Sequence, residues 1–321
     1  MIPASLLVAS AAALLGKPTE VTLDPFSGLA DGLPVGCMTM TSGYTLRGPR
    51  GFGGYSGMAF DAETGRLTLL SDGGHIAEAQ LELTPEGAVT AMTDVVRFKI
   101  EIPPRKDQRN DAEGIAPYQD GWLVSRERDH DAIYVTKEDG KYVQQAVLAN
   151  FARFASFPSN TSLEAVTAVG DGAYLFISEA QNGGNRALMF TWDGEETQRR
   201  ASYQGEPDFD VTDIIADRDG DRLYILERAF SPKLGPRARI KVARLSDFLD
   251  AAPREKVTPQ RLGAMSFLEG ADNMEGIAVY KAHDGSTNLM LVSDDNFRDL
   301  QRTVLMTLRI NEGCPLSATQ P

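Results

Sequence analysis

A short phrase recurs five times along this chain: a small polar or acidic residue, a small residue, alternating apolar residues, a turn, and a strand ending in a charged residue. Its clearest copies run from Asp111 to Pro117, Ser162 to Ala168 and Asp272 to Val279, with looser ones from Gly54 to Phe60 and Asp210 to Ala216. The matching position holds Ser56, Glu113, Glu164, Thr212 and Glu275, at intervals of 57, 51, 48 and 63 residues. A period of that length, built from short strands, is what the blades of an all-β propeller produce. Each blade buries its faces only against its neighbours. Residues 21–321 therefore read as one propeller domain.

Each repeat reads as four strands separated by turn residues. In the first these are SGMAFDA, RLTLLSD, EAQLELT and VTAMTDVVRFKI, with turns at Glu63-Thr64-Gly65, Asp72-Gly73-Gly74 and Pro85-Glu86-Gly87. The last repeat offers only EGIAVYK, NLMLVSD and TVLMTLRI, while a spare strand, MTMTSGYTLRG, precedes the first. The simplest closure has this N-terminal strand complete the C-terminal blade, which removes the open sheet edge. That gives five blades. A six-bladed ring would need further strands within residues 21–48 or within the 63-residue interval. The stretch from Ser231 to Pro236 and the helix-prone Leu245 to Glu255 read as insertions in the fourth blade that overhang a face.

Composition narrows the partners. With 42% hydrophobic and 24% charged residues the chain has ordinary globular proportions. Its net charge of −13 argues against nucleic acid or an anionic membrane surface, which need a basic footprint. An acidic surface suits divalent cations, and equally serves solubility. The apolar run Leu6 to Leu15 has the length of a signal-peptide core, with Ala11 and Ala13 as an A-x-A site, although no Lys or Arg precedes it. Residues 1–20 are thus expected to be a signal-like segment of a periplasmic or secreted protein, monomeric and without a membrane span. The alternative is a frayed helix on a cytoplasmic one. The two cysteines, Cys37 and Cys314, lie near opposite ends of the sequence. A ring would bring them together, leaving a closing disulfide and two separate thiols as the alternatives.

In a propeller the start of each inner strand and the end of the next strand open on the same face. The first layer holds Glu113, Glu164 and Glu275, completed by Ser56 and Thr212; the second holds Asp72, Arg126, Glu179, Arg228 and Asp294. Three readings fit: charge pairs tying blades together, a Ca²⁺ site, or a metal site that also catalyses. On the metal readings Glu113, Glu164, Glu275, Asp294, Asp72 and Glu179 are the ligands. On the catalytic one, Arg126 and Arg228 hold an anionic group and His75 serves as base or orienting group. Other chemistries fare worse. Only three His occur (His75, His130 and His283), scattered along the chain, and no zincin, P-loop or dinucleotide fingerprint is present. Around Ser56, GYSGM lacks the last glycine of a nucleophile elbow.

The segments GGYSGMAFD, RLTLLSDGG, DAEGIAP, SLEAVTA and DNMEGIAV, followed by LMLVSDDNF and QRTVLMTLRI, resemble the bacterial phytase-like family often called "esterase-like activity of phytase". The resemblance spans about residues 35–311 and is most specific from Asp272 to Gln301. It implies a β-propeller, usually exported, acting as a hydrolase on phosphate or other small-molecule esters. The acidic motifs of the calcium-binding propeller phytases are not matched residue by residue. Calcium-dependent lactonases and gluconolactonases are similar in architecture, with six blades and a Glu/Asn/Asp-bound metal on the axis, a set that Glu113, Glu275, Asn273 and Asn296 match in type. A non-catalytic periplasmic binding or scaffold propeller is the remaining alternative.

Overall fold

The computed structural model describes residues 17–26, 32–103, 111–152, 163–178, 186–252 and 255–315. The signal-like segment and Glu179 lie outside the described residues. Among the described residues the long strands group into five antiparallel four-stranded blades. The first comprises Tyr55–Asp61, Arg66–Ser71, His75–Leu83 and Val89–Glu101. The second comprises Ala112–Tyr118, Gly121–Arg126, Asp131–Glu138 and Lys141–Asn150. The third runs Leu163–Gly170, Ala173–Ser178, Arg186–Trp192 and Thr197–Gln204. The fourth runs Asp210–Asp217, Arg222–Ser231, Gly235–Arg244 and Gln260–Ser266. The fifth takes Asn273–Lys281, Thr287–Asp294 and Val304–Ile310, then Met38–Arg47.

Turn chemistry sets the hairpins. Asp139 and Gly140 both have positive φ, 41° and 83°. This is the two-residue Asp-Gly turn whose twist matches a β-hairpin, and Glu138 pairs with Lys141 across it. The inner strands of successive blades touch in cyclic order, the fifth returning to the first. Apolar faces meet between blades, so a hydrophobic cluster fills each junction. Between the second and third blades, for example, Leu123, Phe151, Phe176, Phe190 and Trp192 pack together.

Closure follows the expected route. Met38–Arg47 pairs antiparallel with Val304–Ile310, Met38 opposite Ile310 and Thr45 opposite Val304. Cys37 and Cys314, flanking those strands, form a disulfide with Cα atoms 5.5 Å apart. Residues nearer the N-terminus then lace the seam between the fifth and first blades. Thr22–Pro25 pairs with Met38–Arg47, and Lys17–Pro18 pairs with Val96 and Arg97. The Tyr44 hydroxyl donates to Val89 O at 2.8 Å across the same seam. The outer strands of the first two blades also join in parallel, Tyr142 opposite Ile100.

The two expected insertions diverge. Ser231 to Pro236 is the tip of a hairpin whose strands pair as far as Ser231 and Gly235, and its base, at Phe230 and Pro236, lines a cavity beside the mouth. The helix-prone patch does not overhang that face. It forms a short helix, Leu245–Leu249, in the connection between third and fourth strands, on the opposite face of the ring. Leu245 and Phe248 are buried in the cluster that holds Leu223 and Ile225, and Asp221 of the turn after the inner strand accepts from the Ser246 backbone N–H at 2.9 Å. Burying two apolar residues is what draws it down onto the blades.

Replacing Cys37 and Cys314 together by Ser is expected to cost about 2–5 kcal/mol of unfolding free energy, since the bond closes most of the chain into one loop. Urea denaturation of the oxidised protein and the double variant measures it.

Candidate functional site

The recurring polar position is a structural irregularity in every blade. Ser56, Glu164, Thr212 and Glu275 are each the extra residue where the inner strand slips against its neighbour, and Glu113-Gly114 opposes the single Ser125 in the same way. A bulge bends the strand and re-aims one side chain, here toward the channel. The next residue is Gly57, Gly114, Ala165, Asp213 or Gly276. There the inner strands nearly touch. A Cβ on Gly114 would lie 2.7 Å from Val166 N, and one on Gly57 would lie 2.7 Å from Glu113 O. Asp213 is the exception. Its carboxylate lies across the joint and accepts from Ile214 N and Ile277 N, both at 2.8 Å. Burial nevertheless pushes that carboxyl well above the usual range.

The two hydroxyls at the bulge act as clasps. Ser56 Oγ donates to Ala112 O at 2.6 Å and Thr212 Oγ1 donates to Met274 O at 2.9 Å. Each thereby fastens the residue immediately before a glutamate of the next blade, Glu113 or Glu275. The mixed residue types in the repeat thus reflect a division of labour: hydroxyls tie blades together, and glutamates line the channel.

They line a cavity of about 240 Å³ at the channel mouth. Its carboxylates come from Asp72, Glu113, Glu127, Glu164, Glu275 and Asp294, with Arg228 the cation among the described lining residues. Arg228 Nε lies 2.9 Å from Glu275 Oε1, which also accepts from Asn273 Nδ2 at 2.7 Å. Carboxylate oxygens of Asp111, Glu113 and Glu127 approach within 4.8 Å of one another. This crowding shifts the acids. Burial, then Glu275 and Glu127, holds the Glu113 carboxyl well above its usual range. Burial, reinforced by Asp72 and Asp295, pushes Asp294 up to about 7 against the Asn296 N–H and Arg228. Burial also raises Asp72. Donors that are oxygen throughout, some unable to ionise together without a counter-charge, fit a hard divalent cation.

With this geometry in hand, the chain matches the phytase-like family, described as esterase-like activity of phytase, over residues 50–297. It belongs to that family. No curated protein matches it. Among solved structures this phytase-like chain is similar to one in the crystal structure of a nidogen/laminin complex, at 12% identity and a TM-score of 0.41, covering 89% of this chain and 96% of that one. It is also similar to the β-propeller domain of Myceliophteria thermophila Cps50 (Swd1), at 9% identity and a TM-score of 0.39, covering 92% and 100%.

Five of the residues expected at the phytase-like mouth as metal ligands, Asp72, Glu113, Glu164, Glu275 and Asp294, line one cavity together with Arg228. Arg126 does not. The Glu113-Gly114 bulge sets Ala112 opposite Arg126, so Glu127 takes the position of Asp72 and Asp294, and Arg126 that of Ser71 and Ser293. One residue of slip turns a side chain to the other face of a strand. Arg126 is accordingly only 1% exposed. It donates to both Asp131 oxygens at 2.8 and 2.7 Å and lies 3.0 Å from Asp129. It is an internal brace, and Glu127 is the mouth residue that sequence spacing missed. The signal for it was the acid closing LVSRE, aligned with the acid closing RLTLLSD. His75 opens the third strand of the first blade opposite Lys99 and is not among the lining residues. Burial, Arg97 and Lys99 hold its imidazole below the usual value.

Two outcomes follow. Because Asp294 ionises near 7 in the folded protein and in the usual acid range unfolded, the unfolded chain binds fewer protons between those values. Without divalent cation, this carboxyl is therefore expected to cost stability progressively from about pH 4 to pH 7. Asp294→Asn should become more stable than the parent over that window, by as much as about 4 kcal/mol; melts at stepped pH in chelator measure the difference. Arg126→Leu should destabilise by about 3–5 kcal/mol by stranding two carboxylates, read by urea denaturation.

Proposed function

We propose that this phytase-like propeller is an extracytoplasmic, calcium-dependent ester hydrolase working at the acidic mouth of its channel. The observation that carries the reading is the charge balance of the cavity: six carboxylates converge beside one guanidinium among the described lining residues. Such a cluster is costly unless a cation completes it. Glu113, Glu164, Glu275, Asp72 and Asp294, with Glu127 and Asp111, are the residues that would hold it. A bound calcium ion would supply charge neutralisation and polarise a phosphoryl or carbonyl oxygen.

The chain's own groups divide the remaining work. Arg228 is oriented by Glu275 and presents its guanidinium at the cavity, where it can pair with an anionic ester. Without the cation, burial and neighbouring acids hold the Asp294 carboxyl up to about 7; bound calcium would favour its ionised form and displace that proton. The Cys37–Cys314 disulfide suits an oxidising compartment, and no helix among the described residues is long and apolar enough to cross a membrane.

A second reading, binding without turnover, draws on the hydroxyl among the described lining residues: Ser56 Oγ is committed to Ala112 O. Turnover separates the two. Purified protein is assayed against phosphomonoester, phytate, carboxylester and lactone panels with calcium and with chelator. Calcium should raise the melting temperature and be required for hydrolysis. Glu113→Gln and Glu275→Gln should abolish the calcium-induced rise and lower turnover by at least about 100-fold. If both variants keep both properties, the site assignment is wrong.

A further inference from the structure

A second cavity, of about 800 Å³, opens beside the acidic one and shares Arg228, Asn273 and Asn296 with it. Its walls are of a different character. Phe230, Phe267, Phe297 and Leu300 line it, with exposures of 71%, 48%, 54% and 94%. These are four of the seven large apolar side chains exposed among the described residues. Two more, Leu234 and Leu268, sit at the same hairpin tip and next to Phe267. Large apolar side chains gathered on one rim, on a surface otherwise rich in charge, mark a binding surface.

The rim is built, not incidental. Phe297 and Asn296 both have left-handed backbone, φ 50° and 46°, a costly conformation for a bulky residue. Carboxylates hold it: Asn296 N donates to Asp294 Oδ1 at 2.6 Å and Phe297 N donates to Asp295 Oδ1 at 3.1 Å. The loop that aims Phe297 is therefore fastened by an acid of the adjoining cavity. Room for its ring depends on Gly54, where a Cβ would come within 2.5 Å of Phe297 Cζ. On the far wall, Arg302 lies 5.0 Å from the Phe267 ring and pairs with Asp272 at 3.2 Å. Two arginines, Arg228 and Arg298, line the cleft against two aspartates, Asp272 and Asp299. With its charges balanced, the cleft offers no excess of positive charge to a polyanion. It suits one anionic or polar head with a large apolar body.

We infer that this cleft is the subsite for the apolar part of the substrate, and that the substrate is an amphiphilic ester: an alkyl or aryl group filling the cleft, its ester head at Arg228 and the acidic cavity. The inference rests on the hydrolase reading above, but binding tests it independently of turnover. The probes are methylphosphonate and octylphosphonate, which cannot be hydrolysed, titrated calorimetrically with calcium present. Octylphosphonate should bind at least about 100-fold tighter than methylphosphonate, given the gain per buried methylene. Phe297→Ser and Leu300→Ser, both exposed and so compatible with folding, should each remove much of that increment, with melting curves confirming the fold.

In parallel, kcat/KM is measured for 4-nitrophenyl esters from acetate to decanoate, and for phytate. A rise with chain length supports the subsite. Binding that depends on chain length with no ester cleaved keeps the subsite and defeats the hydrolase reading. Hydrolysis with equal affinity for both phosphonates, or an increment that survives both substitutions, overturns the subsite alone. Phytate cleaved faster than every amphiphile also overturns it. So does a dimer in sedimentation that Phe297→Ser dissolves, because a second copy would then be what the cleft holds.

Discussion

The close approach of the five inner strands around the axis is the constraint from which the rest of this propeller follows. Where Gly57 and Gly114 meet the next strand, there is no room for even one further carbon. A strand held that tightly on one side must displace its neighbouring residue on the other, and the bulge beside each small residue does so. The geometry that packs the ring thus also supplies a polar position at the head of each inner strand, four of them lining the mouth cavity. Structure and site are built from the same short segment of each repeat.

Those five positions have been put to different uses. Short hydroxyls at Ser56 and Thr212 reach only as far as a neighbouring carbonyl and hold blades together. Longer glutamates at the other three reach past the backbone into the cavity. Asp213 stands where glycine stands in three blades and joins the fourth to the fifth by accepting two N–H groups. Away from the axis, Glu227, Lys241 and Tyr203 form a buried polar junction between the third and fourth blades. Charge at the axis is concentrated by contrast, and burial, reinforced by neighbouring acids, raises the Glu113 and Asp294 carboxyls.

Much of this was readable in advance, and the failures are instructive. The repeat, the closing strand Met38–Arg47 and five of the six expected acidic lining residues rest on period and alternation, which the residues display directly. Exchange of Arg126 for Glu127 has another cause. The serines of LLSD and LVSRE invite alignment of Ser125 with Ser71, but the pairing puts Arg126 where Ser71 stands, one residue further along. The helix Leu245–Leu249 was legible as a helix, but its face depends on which connection carries it and on Leu245 and Phe248 finding a core. The apolar cleft was not legible at all. Phe230 comes from a strand end, Phe267 from a 3-10 turn and Phe297 from a loop, in separate parts of the chain that share no spacing. Only the folded ring sets them side by side.

The closure of the fifth blade orders events in time. Its outer strand is made early in synthesis and its three inner strands last, so it cannot form until the chain has been produced as far as Ile310. Until then Met38–Arg47 and Tyr55–Asp61 wait without their fifth-blade neighbours, one an unpaired edge and the other an uncovered inner face. Pairings between the distant parts of a chain are slow to form. Completion of the ring is therefore a late step in assembly, and the time before it, while that edge is exposed, carries the greatest risk of aggregation.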